Sequence, residues 1–205
     1  MEFLKNRLIL TALILIIASP ALAQESLISA FRVSYEAESR GEIQQAIDPL
    51  QQLYDPASYE LNLRLGWLHY QKGSMDESIR LYRRAVELRP YAVEPKLGLA
   101  YPYSAMAMWD EVIALYENIL NIDPQNSLVN YRLGLIYYNR GQYERAHPYI
   151  EKVVNLYPFD YDSLLLFAWN NLMLQRTREA RVLFEKVLLN RPDDDSALRG
   201  LELVP

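Results

Sequence analysis

Residues 64–92, RLGWLHYQKGSMDESIRLYRRAVELRPYA, decide the fold of this chain, because residues 132–160 repeat them as RLGLIYYNRGQYERAHPYIEKVVNLYPFD. Both stretches begin with Arg-Leu-Gly, have a Gly near the middle and have a Pro close to the end. Prolines mark the period, and four of them follow one another at intervals of 34 residues: Pro90, Pro124, Pro158 and Pro192. A fixed period of this length is typical of repeat proteins, so residues 59–192 are predicted to contain four copies of one structural unit.

Each unit is predicted to be a helical hairpin, because its apolar residues recur at helical spacing on both sides of a central break. Leu61, Leu65 and Leu68 mark the apolar face of the first helix in the unit that begins at Tyr59. Gly73 lies in the break, where glycine tolerates the left-handed backbone that ends many helices. Proline then stops the second helix before the next unit begins. The sequence therefore predicts an all-α fold.

At these positions the chain resembles the tetratricopeptide repeat (TPR) family, which has the same 34-residue period. A column of large residues and a column of small residues, adjacent in sequence, carry the resemblance: Leu65, Leu99, Leu133 and Phe167, followed by Gly66, Ala100, Gly134 and Ala168. The resemblance implies a right-handed superhelical solenoid of stacked helical hairpins. It also implies a concave face, lined by the first helix of each hairpin, that binds protein partners.

The predicted organisation has a leader, a series of hairpins and a cap. In order, these are a signal peptide over 1–23, a degenerate TPR-like hairpin over 24–58, repeats over 59–92, 93–126, 127–160 and 161–194, and a short C-terminal capping helix over 195–205. The repeat over 93–126 departs from the pattern because Pro102 lies inside its first helix, which predicts a kink there. Asp193, Asp194 and Asp195 are expected to form the N-cap of the last helix.

The first 23 residues are predicted to be a secretory signal peptide that is cleaved after Ala23. They have a basic start at Lys5 and Arg7, an apolar run from Leu8 to Ala18, and an Ala-Leu-Ala sequence at the end. The apolar run is shorter than the ~20 residues that a membrane-spanning helix needs, and an uncleaved membrane anchor is the alternative. We therefore expect a periplasmic or secreted protein of the bacterial cell envelope.

The composition excludes several classes of function. The chain has 205 residues and no Cys, so disulfides, thiolate metal sites and cysteine nucleophiles are excluded. Its net charge of −5 and the lack of a basic cluster argue against binding to nucleic acid. The two histidines, His69 and His147, lie far apart in sequence, and no Gly-rich phosphate loop is present. We therefore expect no enzyme activity, no cofactor and no metal site.

The predicted binding groove lies along the first helices of the repeats, where the resemblance places ligand contacts. Trp and Tyr bury a large area while keeping a polar group, and they are enriched at binding hot spots. Family members that clamp a C-terminal carboxylate use Lys and Asn where this chain has residues such as Leu63, Trp67 and Tyr101, so an apolar or aromatic partner segment is expected instead. The positions predicted to line the groove are Leu63, Trp67, Tyr70, Gln71, Tyr101, Tyr131, Leu135, Tyr138, Asn139 and Trp169.

The preferred function is a scaffold or adaptor that holds a protein or peptide partner in the cell envelope. A glycan or small-ligand module that uses the same groove is one alternative, because rings such as Trp67 and Trp169 can stack on sugars. Self-assembly into an envelope scaffold, through apolar residues of the C-terminal tail such as Leu201, is another. Arg64 and Arg132 lie beside the groove and could contact an acidic partner. The alternative, which is more common for such residues, is that they are solvated and pair with neighbours such as Glu60 or Asp162.

Overall fold

The computed structural model describes residues 24–204, and every regular element in this range is an α-helix. The predicted all-α fold is therefore confirmed, whereas the predicted signal peptide over 1–23 lies outside the described residues. The helices, in chain order, are α1 (24–39), α2 (Ile43–Gln52), α3 (Tyr59–Gln71), α4 (Met75–Leu88), α5 (Glu94–Ala105), α6 (Trp109–Ile122), α7 (Ser127–Asn139), α8 (Tyr143–Leu156), α9 (Tyr161–Met173), α10 (Thr177–Asn190) and α11 (Asp195–Glu202). None of these helices is long and apolar enough to cross a membrane, as far as residues 24–204 are concerned.

The helices form two compact units, of which one ends at Trp109 and the other begins at Asp110. In the first unit, α2 packs on α3, α3 on α4, and α4 on α5. In the second unit, α7 packs on α8, α8 on α9, and α9 on α10. Each unit is thus a stack of helical hairpins in which successive helices share their apolar faces.

The core of the first unit depends on leucines from α3 and on one tyrosine from α4. Leu61 and Leu65 are buried, as their helical spacing predicts. Tyr82 of α4 lies against glycines of two other helices, Gly66 of α3 and Gly98 of α5. A Cβ atom would lie 3.1 Å from the ring at the first glycine and only 2.2 Å from it at the second. The close approach of these helices therefore requires small residues opposite a large ring.

The second unit uses the same arrangement with different side chains. Ile150 of α8 packs against Gly134 of α7, where an added Cβ would lie 2.5 Å from Cγ1. Phe184 of α10 packs against Gly200 of α11, where an added Cβ would lie 2.2 Å from Cζ. Ile150 and Phe184 are both fully buried. Helix α11 packs on α9 and α10, and it covers the ring of Phe184.

The breaks within the hairpins share one backbone conformation. Gly73 and Gly141 have φ angles of +84° and +70°, which confirms the predicted role of glycine at this position. Ala107 and Gln175 occupy the corresponding positions of the other two repeats, with φ angles of +56° and +61°. These two residues are strained, because a Cβ in the left-handed region comes close to the following carbonyl oxygen.

Polar side chains cap the first helices of several hairpins. Four N-cap side chains accept a hydrogen bond from the backbone N–H three residues later: Ser58, Asn126, Asp160 and Asp194. Asp194 therefore caps the last helix, as the run of three aspartates predicts. α5 has no side-chain cap of this kind and carries Pro95 in its first turn. Pro102 lies within α5, and a kink there stays a prediction.

Candidate binding cavity in the first unit

An open cavity of about 820 Å³ lies in the first unit between helices α1, α3 and α5. These are the first helices of three successive hairpins, and a side chain of α4 completes the lining. We call this site the aromatic cavity, because six rings contribute to its lining: Phe31, Tyr35, Tyr59, Trp67, Tyr82 and Tyr101. Its volume lies in the range typical of ligand-binding pockets.

Trp67 and Tyr70 of α3 form one aromatic cluster with Tyr101 of α5. The ring centroids of Trp67 and Tyr101 are 5.8 Å apart, and those of Tyr70 and Tyr101 are 5.4 Å apart. The centroids of Trp67 and Tyr70 are 5.7 Å apart. Contacts of this kind are favourable beyond the burial of area, so they hold the rings in defined orientations. Because Tyr101 is 37% exposed, the cluster presents an aromatic surface to solvent.

The carboxylate of Glu38 in α1 anchors the aromatic cluster through hydrogen bonds with residues of α3. Trp67 Nε1 donates to Glu38 Oε1 at 2.6 Å, and Gln71 Nε2 donates to the same oxygen at 2.7 Å. Arg64 forms an ion pair with Glu38 Oε2 at 2.6 Å. Burial alone would raise the pKa of Glu38, but the hydrogen bonds from Trp67 and Arg64, together with the charge of Arg64, hold it below its usual value. The ionised carboxylate thus fixes the indole ring and links α1 to α3.

Arg64 is committed to contacts within the protein. Its side chain is 8% exposed, and its guanidinium group lies 3.9 Å above the ring of Tyr35. It also donates to Ser34 Oγ from Nε at 3.3 Å and from Nη2 at 3.2 Å. Arg64 therefore pairs with a carboxylate, as one of the two alternatives predicts. The prediction of a solvated arginine paired with Glu60 is wrong, because Arg64 is buried and its partner is Glu38 of α1.

The five predicted groove residues in the second unit have more varied surroundings. Tyr131 lines a smaller cavity of about 360 Å³. Tyr138 packs edge-on against Tyr143, with ring centroids 5.4 Å apart. Trp169 packs edge-on against a buried phenylalanine at 5.2 Å, and its indole Nε1 donates to Ser196 Oγ at 3.0 Å. Helix α11 therefore contacts Trp169. Leu135 is half-buried and Asn139 is exposed.

The ten predicted groove residues thus divide equally between the two units. Leu63, Trp67 and Tyr101 line the aromatic cavity directly. Tyr70 contacts two rings of the cavity, those of Trp67 and Tyr101. Gln71 does not line the cavity, but it donates a hydrogen bond to the carboxylate of Glu38, which also holds Trp67. Direct contact of these residues with a partner stays a prediction.

The repeat pattern does not predict that α1 and two carboxylates contribute to the cavity. Tyr35 and Glu38 belong to the degenerate N-terminal hairpin, which departs from the 34-residue period, so the repeat register did not place them. Glu60 and Glu94 also line the aromatic cavity. A signal for them was present, because they occupy the same position in successive repeats and Asp162 recurs at that position later.

Neither histidine has the surroundings of a catalytic group. Both ring nitrogens of His69 are buried with no hydrogen-bond partner among the described residues, and burial lowers its pKa. The pKa of His147 is lowered by burial and by the charge of Arg176, and its ring lies 4.9 Å from that of Phe167. Within residues 24–204, no group of three or more His, Asp or Glu side chains could hold a metal ion.

The stacked hairpins and the open cavity define a class of protein, the all-α helical repeat proteins. Residues 34–93 match the family model for the tetratricopeptide repeat, and residues 105–187 match the model for anaphase-promoting complex, cyclosome, subunit 3. With the relatives and solved structures that follow, these matches support assignment of the chain as a tetratricopeptide-repeat protein. Repeats of this family generally mediate protein–protein interaction and are typically non-catalytic scaffolds.

Two curated relatives carry the same kind of repeat. TPR repeat-containing protein YpiA of Bacillus subtilis (strain 168) is 29% identical over 157 residues, which are 76% of this chain and 37% of that protein. Tetratricopeptide repeat protein 1 of Schizosaccharomyces pombe is 27% identical over 71 residues, which are 34% of this chain and 7% of that protein. The matched part of this chain thus spans well under half the length of each relative.

Solved structures share the fold at low sequence identity. A tetratricopeptide repeat protein from Parabacteroides merdae ATCC 43184 has a TM-score of 0.74 at 19% identity, covering 87% of this chain and 72% of that chain. MamA has a TM-score of 0.71 at 19% identity, covering 82% of this chain and 93% of that chain. At these identities the likeness shows the fold alone.

Proposed function

We propose that this chain is an exported scaffold that binds a peptide segment of a protein partner in the aromatic cavity. The observation that carries the proposal is the open volume of about 820 Å³ between α1, α3 and α5, which aromatic rings line. Two of these rings, Tyr35 and Tyr101, are exposed to solvent within the cavity. Exposed aromatic rings in a concave site are typical of binding surfaces. Trp and Tyr in such a position are the residues that most often carry binding energy.

The cavity is also preorganised for binding. Trp67 is held by its hydrogen bond to Glu38 and by its contact with Tyr101. Gly98 and Tyr82 fix the packing of α5 on α4 behind these rings. A site that is already ordered loses little conformational entropy when a ligand binds, which leaves more of the contact energy for affinity. This order supports the cavity as the main contact surface of the first unit.

A pull-down with matched variants tests the cavity as the partner site. We expect Trp67→Ala and Tyr101→Ala to lose a protein partner that the wild-type chain retains from an envelope extract. Tyr91→Ala is the control, because Tyr91 is 83% exposed and lies outside the cavity lining. Circular dichroism and thermal melting establish that each variant is folded. Retention of every partner by the two folded cavity variants contradicts the proposal.

The same variants separate the proposal from its alternatives. Binding of a purified glycan that depends on Trp67, without any retained protein, favours the glycan-binding function. A mass by light scattering of more than one chain, unchanged by Tyr101→Ala, favours self-assembly through another surface.

Export is the second part of the proposal, and it rests on the predicted signal peptide over 1–23. Alkaline phosphatase, which needs the oxidising periplasm to become active, can be fused after the first helix of the chain. We expect activity when residues 1–23 are present and none when they are deleted. Mass spectrometry of the exported protein should give a chain that begins at Gln24. An inactive full-length fusion contradicts export, and an active fusion that starts at Met1 supports the uncleaved anchor.

A further inference from the structure

Two carboxylates lie in the aromatic cavity beside its rings. Glu60 of α3 and Glu94 of α5 both line the cavity, and both are exposed. The hydroxyl group of Tyr59 donates to Glu94 Oε2 at 3.3 Å, which brings this carboxylate to an aromatic ring. Burial raises the pKa of Tyr59, and the charge of Glu94 raises it further. The site therefore already disfavours another negative charge near that ring.

The positive charge in the cavity lining is neutralised within the protein. Arg64 is the one cation among the residues that line the cavity, and it is paired with Glu38 at 2.6 Å. Lys96 of α5 is buried, and its ammonium group donates to two backbone carbonyl oxygens. Arg89, whose charge acts on Tyr59, lies outside the lining. The two carboxylates thus leave the cavity with a negative charge that its own lining does not balance.

Aromatic faces and carboxylates together suit a cation. The face of a Trp or Tyr ring attracts a guanidinium or ammonium group, and a carboxylate adds a charge-assisted hydrogen bond. The chain itself shows this combination, because Arg64 lies over the ring of Tyr35 while it pairs with Glu38. A basic side chain from a partner would meet the same two kinds of group at Tyr59 and Glu94, whose side chains are hydrogen-bonded to each other in the cavity lining.

The second unit also places carboxylates beside aromatic rings, and one of these carboxylates occupies the same repeat position as Glu60 and Glu94. Asp162 occupies the repeat position of Glu60, and with Asp160 it lines the smaller cavity next to Tyr131 and Tyr157. Burial, followed by the charges of Asp162 and Asp160, raises the pKa of Tyr131. The combination is therefore not confined to one loop or one helix.

We propose that the aromatic cavity binds a basic segment of the partner, with an Arg or Lys side chain between the rings and the carboxylates of Glu60 and Glu94. This inference rests on the proposed function, because it assigns the chemistry of the partner that the same cavity holds. It changes the expected partner from an apolar or aromatic segment to one that combines basic and apolar residues. An acidic segment would be repelled, because the charge of Arg64 is already paired.

Two matched fluorescent peptides test this inference against the purified full chain. One short peptide alternates Leu and Arg, and the other has citrulline in place of each Arg, which keeps the shape and removes the charge. Fluorescence polarisation near physiological salt should show roughly five-fold tighter binding of the Arg peptide. The double variant Glu60→Gln, Glu94→Gln should lose this preference without weakening the binding of the citrulline peptide. The control is Glu36→Gln, Asp48→Asn, which changes the net charge equally at exposed positions outside the lining and should keep the preference.

Several outcomes overturn the inference. Equal binding of the two peptides does so, as does the absence of binding by the Arg peptide. The preference for the Arg peptide could survive in the variant Glu60→Gln, Glu94→Gln, or it could disappear equally in the control variant. Either result would mean that the acidic chain as a whole attracts the Arg peptide, and not the two carboxylates of the cavity. The same assay tests the proposed function separately. If the cavity binds peptide segments, Tyr101→Ala should weaken the binding of both peptides. Tyr101→Ala could weaken binding of the citrulline peptide while the wild-type chain binds both peptides equally. In that case the cavity binds peptide segments but does not select a basic one.

Discussion

Gly98 of α5 lies against the ring of Tyr82 of α4 so closely that a Cβ atom on the glycine would lie 2.2 Å from Cε1. The same ring lies against Gly66 of α3, where the corresponding distance is 3.1 Å. Tyr82 is buried, and it also contributes to the lining of the aromatic cavity. The packing of three helices in the first unit is therefore coupled to the shape of its binding site.

Gly98→Ala should destabilise the protein. The added methyl group cannot fit without displacing a buried ring, and overpacking of this kind costs about 1–3 kcal/mol, which exceeds the gain of up to ~1 kcal/mol in helix propensity. Urea unfolding followed by circular dichroism measures the change. Gly66→Ala, with its longer distance, should cost less. Combining Gly98→Ala with Tyr82→Leu should recover part of the loss, and fully additive effects of the two changes would contradict the proposed contact.

Ala107→Gly should stabilise the protein by about 1 kcal/mol, because Ala107 has a φ angle of +56° and glycine adopts this conformation without strain. Gly73→Ala is the matched reverse change, since Gly73 has a φ angle of +84° and an added Cβ there would meet no atom within 4 Å. Its cost would therefore come from the backbone alone. Thermal melting of both variants measures the two effects. A lower melting temperature for Ala107→Gly would contradict the account of strain at this turn.

The repeat pattern predicts the hairpins well because the features that form a hairpin depend on residues close to one another in sequence. Helical spacing, the glycine at the central break and the capping role of Asp194 depend on neighbours close in sequence. The aromatic cavity depends instead on side chains that meet across helices. Glu38 reaches Trp67 from α1, which the 34-residue register did not align. Ala107 shows the other limit, because an alanine gives no sign of a left-handed backbone. Only its position midway between Gly73 and Gly141 in the 34-residue register does so.

Glu38→Gln should weaken both stability and partner binding. The change leaves the buried guanidinium of Arg64 without its ion pair, and we expect a loss of about 1–2 kcal/mol, less than for a fully buried pair because Glu38 is 22% exposed. The pKa of Glu38 is lowered in the folded protein, so its contribution is complete above the pKa of the unfolded chain and is lost as the pH falls through the folded value. Urea unfolding below pH 5 should therefore show a shallower loss of stability for the variant than for the wild type. Parallel pH profiles would contradict this role.

His69→Phe should stabilise the protein at neutral pH and flatten its dependence on pH. Both ring nitrogens of His69 are buried without a partner among the described residues, and removing such a polar group should gain about 1 kcal/mol. The corresponding positions of the next two repeats hold Tyr103 and Tyr137, so an aromatic ring fits this site. Burial lowers the folded pKa of His69, so the unfolded chain takes up a proton first, and stability falls as the pH drops below about 6.5. Urea unfolding between pH 7 and pH 5 should show a smaller loss of stability for the variant than for the wild type. The loss that remains in the variant is due in part to His147, because its pKa is also lowered in the folded protein. An unchanged slope would mean that His69 is protonated equally in the folded and unfolded chains.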